Sequence, residues 1–203
     1  MPTAKSSTPP LAFDLRVTLY YLQPEIWRLL RVPHDIRMDR LHGVLQTAFG
    51  WTNSHLHQFH VFDGTGKITG YVGQPDPDSP SVFLGRRPPT QDETRRLLKN
   101  FLAKPGDRLG YEYDFGDSWL HEITLAAVES QLRRLAHAVC LDGARACPPE
   151  DCGGPPGYER LLGILKKPKH PEYADTIEWL GSSFDPASFD LAATNRALAQ
   201  VRV

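Results

Sequence analysis

From Phe13 onward the chain alternates: Phe13, Leu15, Val17, Leu19 and Tyr21 are apolar or aromatic, with Asp14, Arg16 and Thr18 between them. This period of two marks a half-buried strand. Pro24 signals a turn, and a second β run follows over 26–32, where Trp27 and Leu29 interleave with arginines until Pro33 closes it. Together the two predict a hairpin. The spacing then changes: Leu41, Val44, Leu45, Ala48 and Phe49 fall on one helix face, with Asp39 near the start and Gly50 as the stop. Alternation returns over 55–62, runs into Asp63-Gly64, and resumes at 68–72 as a partner strand.

Residues 73–90 are rich in proline, aspartate, serine and glycine and predict a surface loop. A short helix is expected over 92–102, ended by Pro105-Gly106, and a strand over 109–115. After the turn at Gly116-Asp117, Trp119, His121, Ile123 and Leu125 share one face of the next strand, giving another hairpin. From Cys147 to Pro156 prolines, acids and glycines make a rigid connector, beyond which every signal is helical: 158–165, 174–180 and 191–201. Lys166 and Lys167 complement the C-terminal end of the first of these. The class is α+β, an antiparallel sheet of hairpins with an early packed helix and a C-terminal helical segment. The expected organisation is a disordered tail over 1–10 and a single domain over 11–203, strand-rich to 130, with a connector over 140–157 and helices over 158–203.

Composition narrows this picture. The 203 residues are 40% apolar and 23% charged, which is globular and long enough for one substantial core. Lysine and arginine number 23 against 24 acids, so the overall positive field of many nucleic-acid binders is absent. No apolar run approaches the roughly 20 residues of a membrane span, and the first ten residues have no secretory pattern. Three cysteines cannot all pair within one chain, so a reducing compartment, the cytoplasm, is expected.

Several strings carry a resemblance. They are Ile26-Trp27-Arg28, Leu41-His42, Phe49-Gly50-Trp51 and His55-Leu56-His57-Gln58-Phe59, then Tyr111-Glu112-Tyr113-Asp114-Phe115-Gly116-Asp117 with Trp119 and His121-Glu122. Cys147-Pro148-Pro149-Glu150-Asp151-Cys152-Gly153-Gly154, Trp179-Leu180-Gly181 and Phe184-Asp185-Pro186 continue it. In this order, over about 11–200, they resemble the plasmid pRiA4b ORF-3-like family. The resemblance implies a setting on plasmids, near insertion elements or in bacterial chromosomes, and no defined reaction. Some members carry a transposon-resolvase label, but neither a serine-recombinase nucleophile motif nor the arginine, histidine and tyrosine set of tyrosine recombinases is present here.

Candidate chemistry lies in four places. Cys140, Cys147 and Cys152 fall in one proline-stiffened segment and could converge on zinc, with His121, or His55 or His57, as a fourth ligand. Equally, Cys140 could pack as a small apolar residue while Cys147 and Cys152 flank a Pro-Pro turn as ordinary thiols. His55, His57 and His60 invite comparison with the metallo-β-lactamase motif, but Phe59 stands where a carboxylate must hold the second metal. On a strand, His55 and His57 would point one way and His60 the other; polar residues at a sheet edge are the alternative. The turn 114–122 gathers Asp114, Asp117, His121 and Glu122, either for acid and base work or as hairpin caps. Basic groups at Arg86-Arg87, Arg95-Arg96, Arg133-Arg134 and Lys166-Lys167-Lys169 could meet nucleic acid or simply be solvated faces.

Two functional readings follow. One is a non-enzymatic binding or accessory module of plasmids or transposable elements, with a protein or nucleic-acid partner and no membrane. The other is a metal-dependent hydrolase of nucleic acid or another phosphoester, its site drawn from His55, His57, Asp114, Asp117 and His121.

Overall fold

The computed structural model describes residues 9–75, 88, 90–181 and 183–203. In chain order its elements are β1 (Leu11–Leu19), β2 (Trp27–Pro33), α1 (Met38–Phe49), β3 (His57–Phe62), β4 (Ile68–Gly73) and β5 (Thr90–Asp92). Two 3-10 turns, Glu93–Arg95 and Leu98–Asn100, precede β6 (Arg108–Tyr113), β7 (Trp119–Ser130) and β8 (Val139–Ala144). The chain ends in α2 (Gly154–Leu165), α3 (Tyr173–Leu180) and α4 (Leu191–Leu198). Among the described residues eight strands form one sheet in the order β5, β4, β3, β6, β7, β1, β2, β8. Neighbours are antiparallel except β4 and β5. The α+β class and the hairpins β1–β2, β3–β4 and β6–β7 are therefore as the alternation predicts.

One face of the sheet builds the core. Phe13, Leu15, Val17 and Leu19 of β1 lie beside Trp119, His121, Ile123 and Leu125 of β7 and Leu109, Tyr111 and Tyr113 of β6, all buried. Leu41, Val44, Leu45, Ala48 and Phe49 of α1 close over them. The opposite face is polar: Asp14 takes a bidentate pair from Arg31, and Glu112 takes hydrogen bonds from Gln58 and Ser118 and pairs with His60.

The register of the first hairpin has a consequence that alternation alone misses. Val17 lies opposite Arg28, Leu15 opposite Leu30 and Phe13 opposite Val32, so Arg28 faces the core and Trp27 the polar side. Arg28 is 3% exposed. Its Nε donates to Ala48 O at 3.0 Å, Nη1 to Trp27 O at 2.8 Å and Ala144 O at 2.9 Å, and Nη2 to Arg145 O at 2.9 Å. The guanidinium also lies over the rings of Phe49 and Phe189. Burial draws its pKa down, but a guanidinium stays charged at any physiological pH. One cation thus ties the C-terminal end of α1 to the end of β8.

Other departures have local causes. The expected helix over 92–102 is two 3-10 turns separated by extended residues, because Leu98 N donates to Ile36 O, Lys99 N to His34 O, and Leu97 N is taken by Asn100 Oδ1. The segment is thereby drawn onto the β2–α1 connection, with a bridge between Arg37 and Leu97. β8 occupies residues placed in or just before the connector, and α2 begins at Gly154 inside it. The strand expected from His55 starts at His57, and the last helix stops at Leu198 rather than 201. Residues 1–8 of the expected tail, and 76–87 and 89 of the expected loop, including Arg86-Arg87, lie outside the described residues.

Replacing Arg28 with methionine keeps the length but leaves the carbonyls of Ala48, Ala144 and Arg145 without this donor. Orphaned buried acceptors cost about 1–3 kcal/mol each, so chemical denaturation should show a loss of roughly 3 kcal/mol or more.

Candidate metal centre

Three turns meet at one end of the sheet. The first leaves α1, which Gly50 ends in the left-handed region (φ 87) by donating to Gln46 O. Trp51 then turns inward against Tyr113, Trp119 and His121, and its Nε1 donates to Pro148 O at 3.2 Å, fixing the proline loop above the β6–β7 turn. The second is Asp114–Ser118, where Asp114 N donates to Leu56 O and Ser118 N to Asp114 O. The third, over 147–154, docks on it: Gly153 N donates to Asp117 Oδ2 at 3.1 Å. A Cβ on Gly154 (φ +66) would lie 2.4 Å from Asp117 O, and one on Gly157 would lie 1.9 Å from Cys152 O. Only glycine permits this approach.

The docking sets a histidine among three carboxylates. His55 Nε2 lies 3.1 Å from Asp151 Oδ1, 3.7 Å from Asp114 Oδ2 and 3.8 Å from Glu150 Oε2. That nitrogen is shielded from solvent and has no aligned hydrogen bond; the Asp151 oxygen is near enough but off the required direction. Asp114 Oδ1 accepts from Gly116 N at 2.9 Å, leaving Oδ2 turned to the histidine. Glu150 Oε1 accepts from Thr52 N at 2.8 Å, Thr52 Oγ1 at 3.1 Å and Tyr113 OH at 3.1 Å. Burial first, then the nearby Glu150, pushes the Tyr113 phenol up to about 12, so it remains a donor at neutral pH. One imidazole thus faces three carboxyl groups, so acids outnumber the base at this point. Among the described residues, His55, Asp114 and Asp151 are the group of His, Cys, Asp or Glu whose ligand atoms all lie within 4.8 Å of one another.

The residues singled out from sequence divide. His55 and Asp114 come together, while Asp117 serves as an acceptor for Gly153 N and stands outside the cluster. His55 precedes β3, so the alternation that would align it with His57 does not reach it. His57 turns into the core, its Nε2 2.8 Å from Glu93 Oε2, and its ring stacks on His42 with centroids 3.4 Å apart and planes 2° from parallel. His42 is held on both nitrogens: Nε2 donates to Asn53 Oδ1 at 2.7 Å, and Tyr111 OH donates to Nδ1 at 2.9 Å. Gln46 completes the network by donating to Tyr111 OH and accepting from Asn53 N. His121 is buried, with Nδ1 donating to Trp119 O and Tyr111 O and its ring against Phe49 and Trp51.

The expected zinc site of Cys140, Cys147, Cys152 and His121 does not assemble among the described residues. Cys140 is buried in β8 with Sγ donating to Asp142 O. Burial pushes all three thiols up, Cys152 to about 12. Of the basic groups, Arg95 pairs with Asp92 and Arg134 with Asp35. Glu150 and Asp151 escaped the sequence reading, although two adjacent acids in a proline-stiffened loop were the available signal.

This arrangement belongs to a chain whose residues 11–193 match the family profile described as plasmid pRiA4b ORF-3-like protein. The chain belongs to that family. This member is 39% identical over 190 residues to the uncharacterized protein y4hQ of Sinorhizobium fredii (strain NBRC 101917 / NGR234), covering 91% of this chain and 89% of that one. It also resembles the crystal structure of MM3350, a protein of unknown function from Methanosarcina mazei Go1. There the TM-score is 0.78 at 31% identity, over 92% of this chain and 97% of the other. Among the described residues no helix is long and apolar enough to cross a membrane.

The buried imidazoles of this family member give a pH dependence of definite sign. Burial, then the neighbouring His57, lowers the pKa of His42 from 6.5 to about 4, and burial lowers that of His121 to about 3. Both are neutral in the fold, so the unfolded chain takes up protons first as pH falls. Their contribution is complete above about 6.5 and is lost on acidification, by about 1.4 kcal/mol per pH unit for each histidine. Denaturation midpoints measured from pH 7.5 to 4.5 should fall in that sense, and His42→Gln should flatten the slope; a midpoint constant down to pH 5 would contradict the assignment.

Proposed function

We propose that the protein is a metal-dependent hydrolase that holds one divalent cation with His55 Nε2, Asp114 Oδ2 and Asp151 Oδ1. The observation that carries this reading is the solvent-shielded, unaligned His55 nitrogen facing three carboxylate oxygens within 3.8 Å. A cation relieves both the unsatisfied nitrogen and the excess negative charge. One imidazole with oxygen ligands suits Mn²⁺, Fe²⁺ or Zn²⁺ rather than a soft ion such as Cu⁺. Asp151, with 70% of its side chain exposed, lies on the solvent side, so a three-ligand site here leaves positions for water and substrate. A cation held there would supply an acidified water, and Glu150, held by Thr52 and Tyr113 beside His55, would be the group placed to accept its proton. A phosphoester, in nucleic acid or a smaller molecule, is the substrate class in keeping with such a centre.

The test is calorimetric titration of chelator-stripped protein with Mn²⁺ and Zn²⁺. We expect one cation per chain, with affinity falling as pH drops because the imidazole must lose its proton. Asp114→Asn and His55→Ala should each weaken binding by more than the roughly 10–100-fold that loss of an outer-shell partner costs. Saturable binding that both variants leave intact, or no binding at all, would remove the hydrolase reading. The chain would then return to the reading of a non-enzymatic binding or accessory module associated with plasmids or transposable elements, with a protein or nucleic-acid partner.

A further inference from the structure

Beyond the cation centre, α2 and α3 border an open cleft of about 310 Å³ that shares one residue with it, Asp151. Leu161 and Ile164, each 6% exposed, give α2 an apolar strip along the cleft. Trp179 of α3 borders it and is half exposed. Among the described residues its indole has no aromatic or cationic neighbour. Arg160 and Glu172 neutralise one another in an ion pair; Asp175 and Asp151 add two further carboxylates, Asp151 with His55 Nε2 3.1 Å away on the side of the cation centre. Asp175 has no ion pair or hydrogen bond among the described residues. An unpartnered indole, an apolar strip, and carboxylates from α3 and from the loop before α2 are the complement of a flexible dication.

We infer that this cleft binds a small aliphatic diamine, one ammonium group against Trp179 and Asp175, the methylenes over Leu161 and Ile164, and the second ammonium toward Asp151. The indole face attracts an ammonium electrostatically, and the contact strengthens where water is excluded. An anionic ligand fits poorly, because the guanidinium of Arg160 is already engaged by Glu172. The inference goes beyond the cation centre and depends on different side chains, Asp151 excepted.

The experiment is calorimetric titration of the full chain with putrescine and with cadaverine, in chelator and at low salt so that no metal contributes. Pentanol serves as an uncharged control of similar length, and Nα-acetyl-lysine amide as a mimic of a protein side chain. Saturable 1:1 binding of a diamine is expected, weakened about tenfold or more in Trp179→Ala and in Asp175→Asn, and retained in Trp179→Phe. Asp114→Asn, which disables the cation centre, should bind the diamine unchanged, so the two readings fail separately. Trp179 and Asp175 lie on exposed helix surface, and an unchanged thermal midpoint would verify that the variants fold. No saturable heat with either diamine, equal binding of pentanol, or affinity that both substitutions leave intact would overturn the inference. Binding of the lysine amide alone would also overturn it, by assigning the cleft to a protein partner.

Discussion

Arg28 is a permanent charge placed in the core with backbone carbonyls, rather than a carboxylate, as its hydrogen-bond partners. Desolvating a guanidinium is costly, and that cost is offset only if its donors all find acceptors at good geometry. The acceptors come from β2, the last turn of α1 and the end of β8, segments far apart in sequence. Their relative placement is therefore fixed by one planar group whose donors cannot be rearranged independently. Small displacements of any one segment would leave part of the charge unsolvated, so the interaction selects a single arrangement rather than merely favouring compactness.

The candidate centre inherits that placement. Arg145, whose carbonyl Arg28 holds, leads directly into the loop that carries Glu150 and Asp151. From there the chain is constrained again by Trp51 on Pro148 O and by Gly153 on Asp117. Asp114 and Asp151 both adopt positive φ (56° and 55°), a conformation uncommon for residues with a Cβ. At Asp114 the turn is held by Asp114 N on Leu56 O and by Gly116 N on its own Oδ1, which leaves Oδ2 turned toward His55. The stacked pair of His42 and His57 does comparable work deeper inside, joining α1, β3 and the turn at Glu93 through a network whose donors and acceptors match.

Much of the fold could be read from period alone. β1 beyond its bulge at Asp14, and β7 up to Leu125, alternate because one face is buried and the other more exposed, and α1 follows the helical period because it lies flat on the sheet. β8 gave no such signal: Val139–Ala144 includes Asp142 and Gly143, residues uncommon in strands, and it forms because β2 offers an edge and α4 covers the result. The inward side of β2 was hidden because Arg28 occupies a position where an apolar residue is expected, and only the cross-strand register reveals it. The centre was half legible. His55 and Asp114 drew attention as residue types, but their partners come from a loop whose cysteines were the more conspicuous feature. Loop-to-loop proximity is a product of docking, which no local pattern records.

A sheet of this width has two rims, and the way they are finished bears on how copies of the chain behave together. At the β8 rim Asn195 of α4 supplies both halves of a peptide-like contact, accepting from Cys140 N and donating to Cys140 O at 2.8 Å each. A side-chain amide thus imitates the next strand and occupies the pairing groups of Cys140. The opposite rim, β5, is three residues long and too short to serve as a template. Each rim thus offers a neighbouring copy less to pair with than a bare edge of full length would.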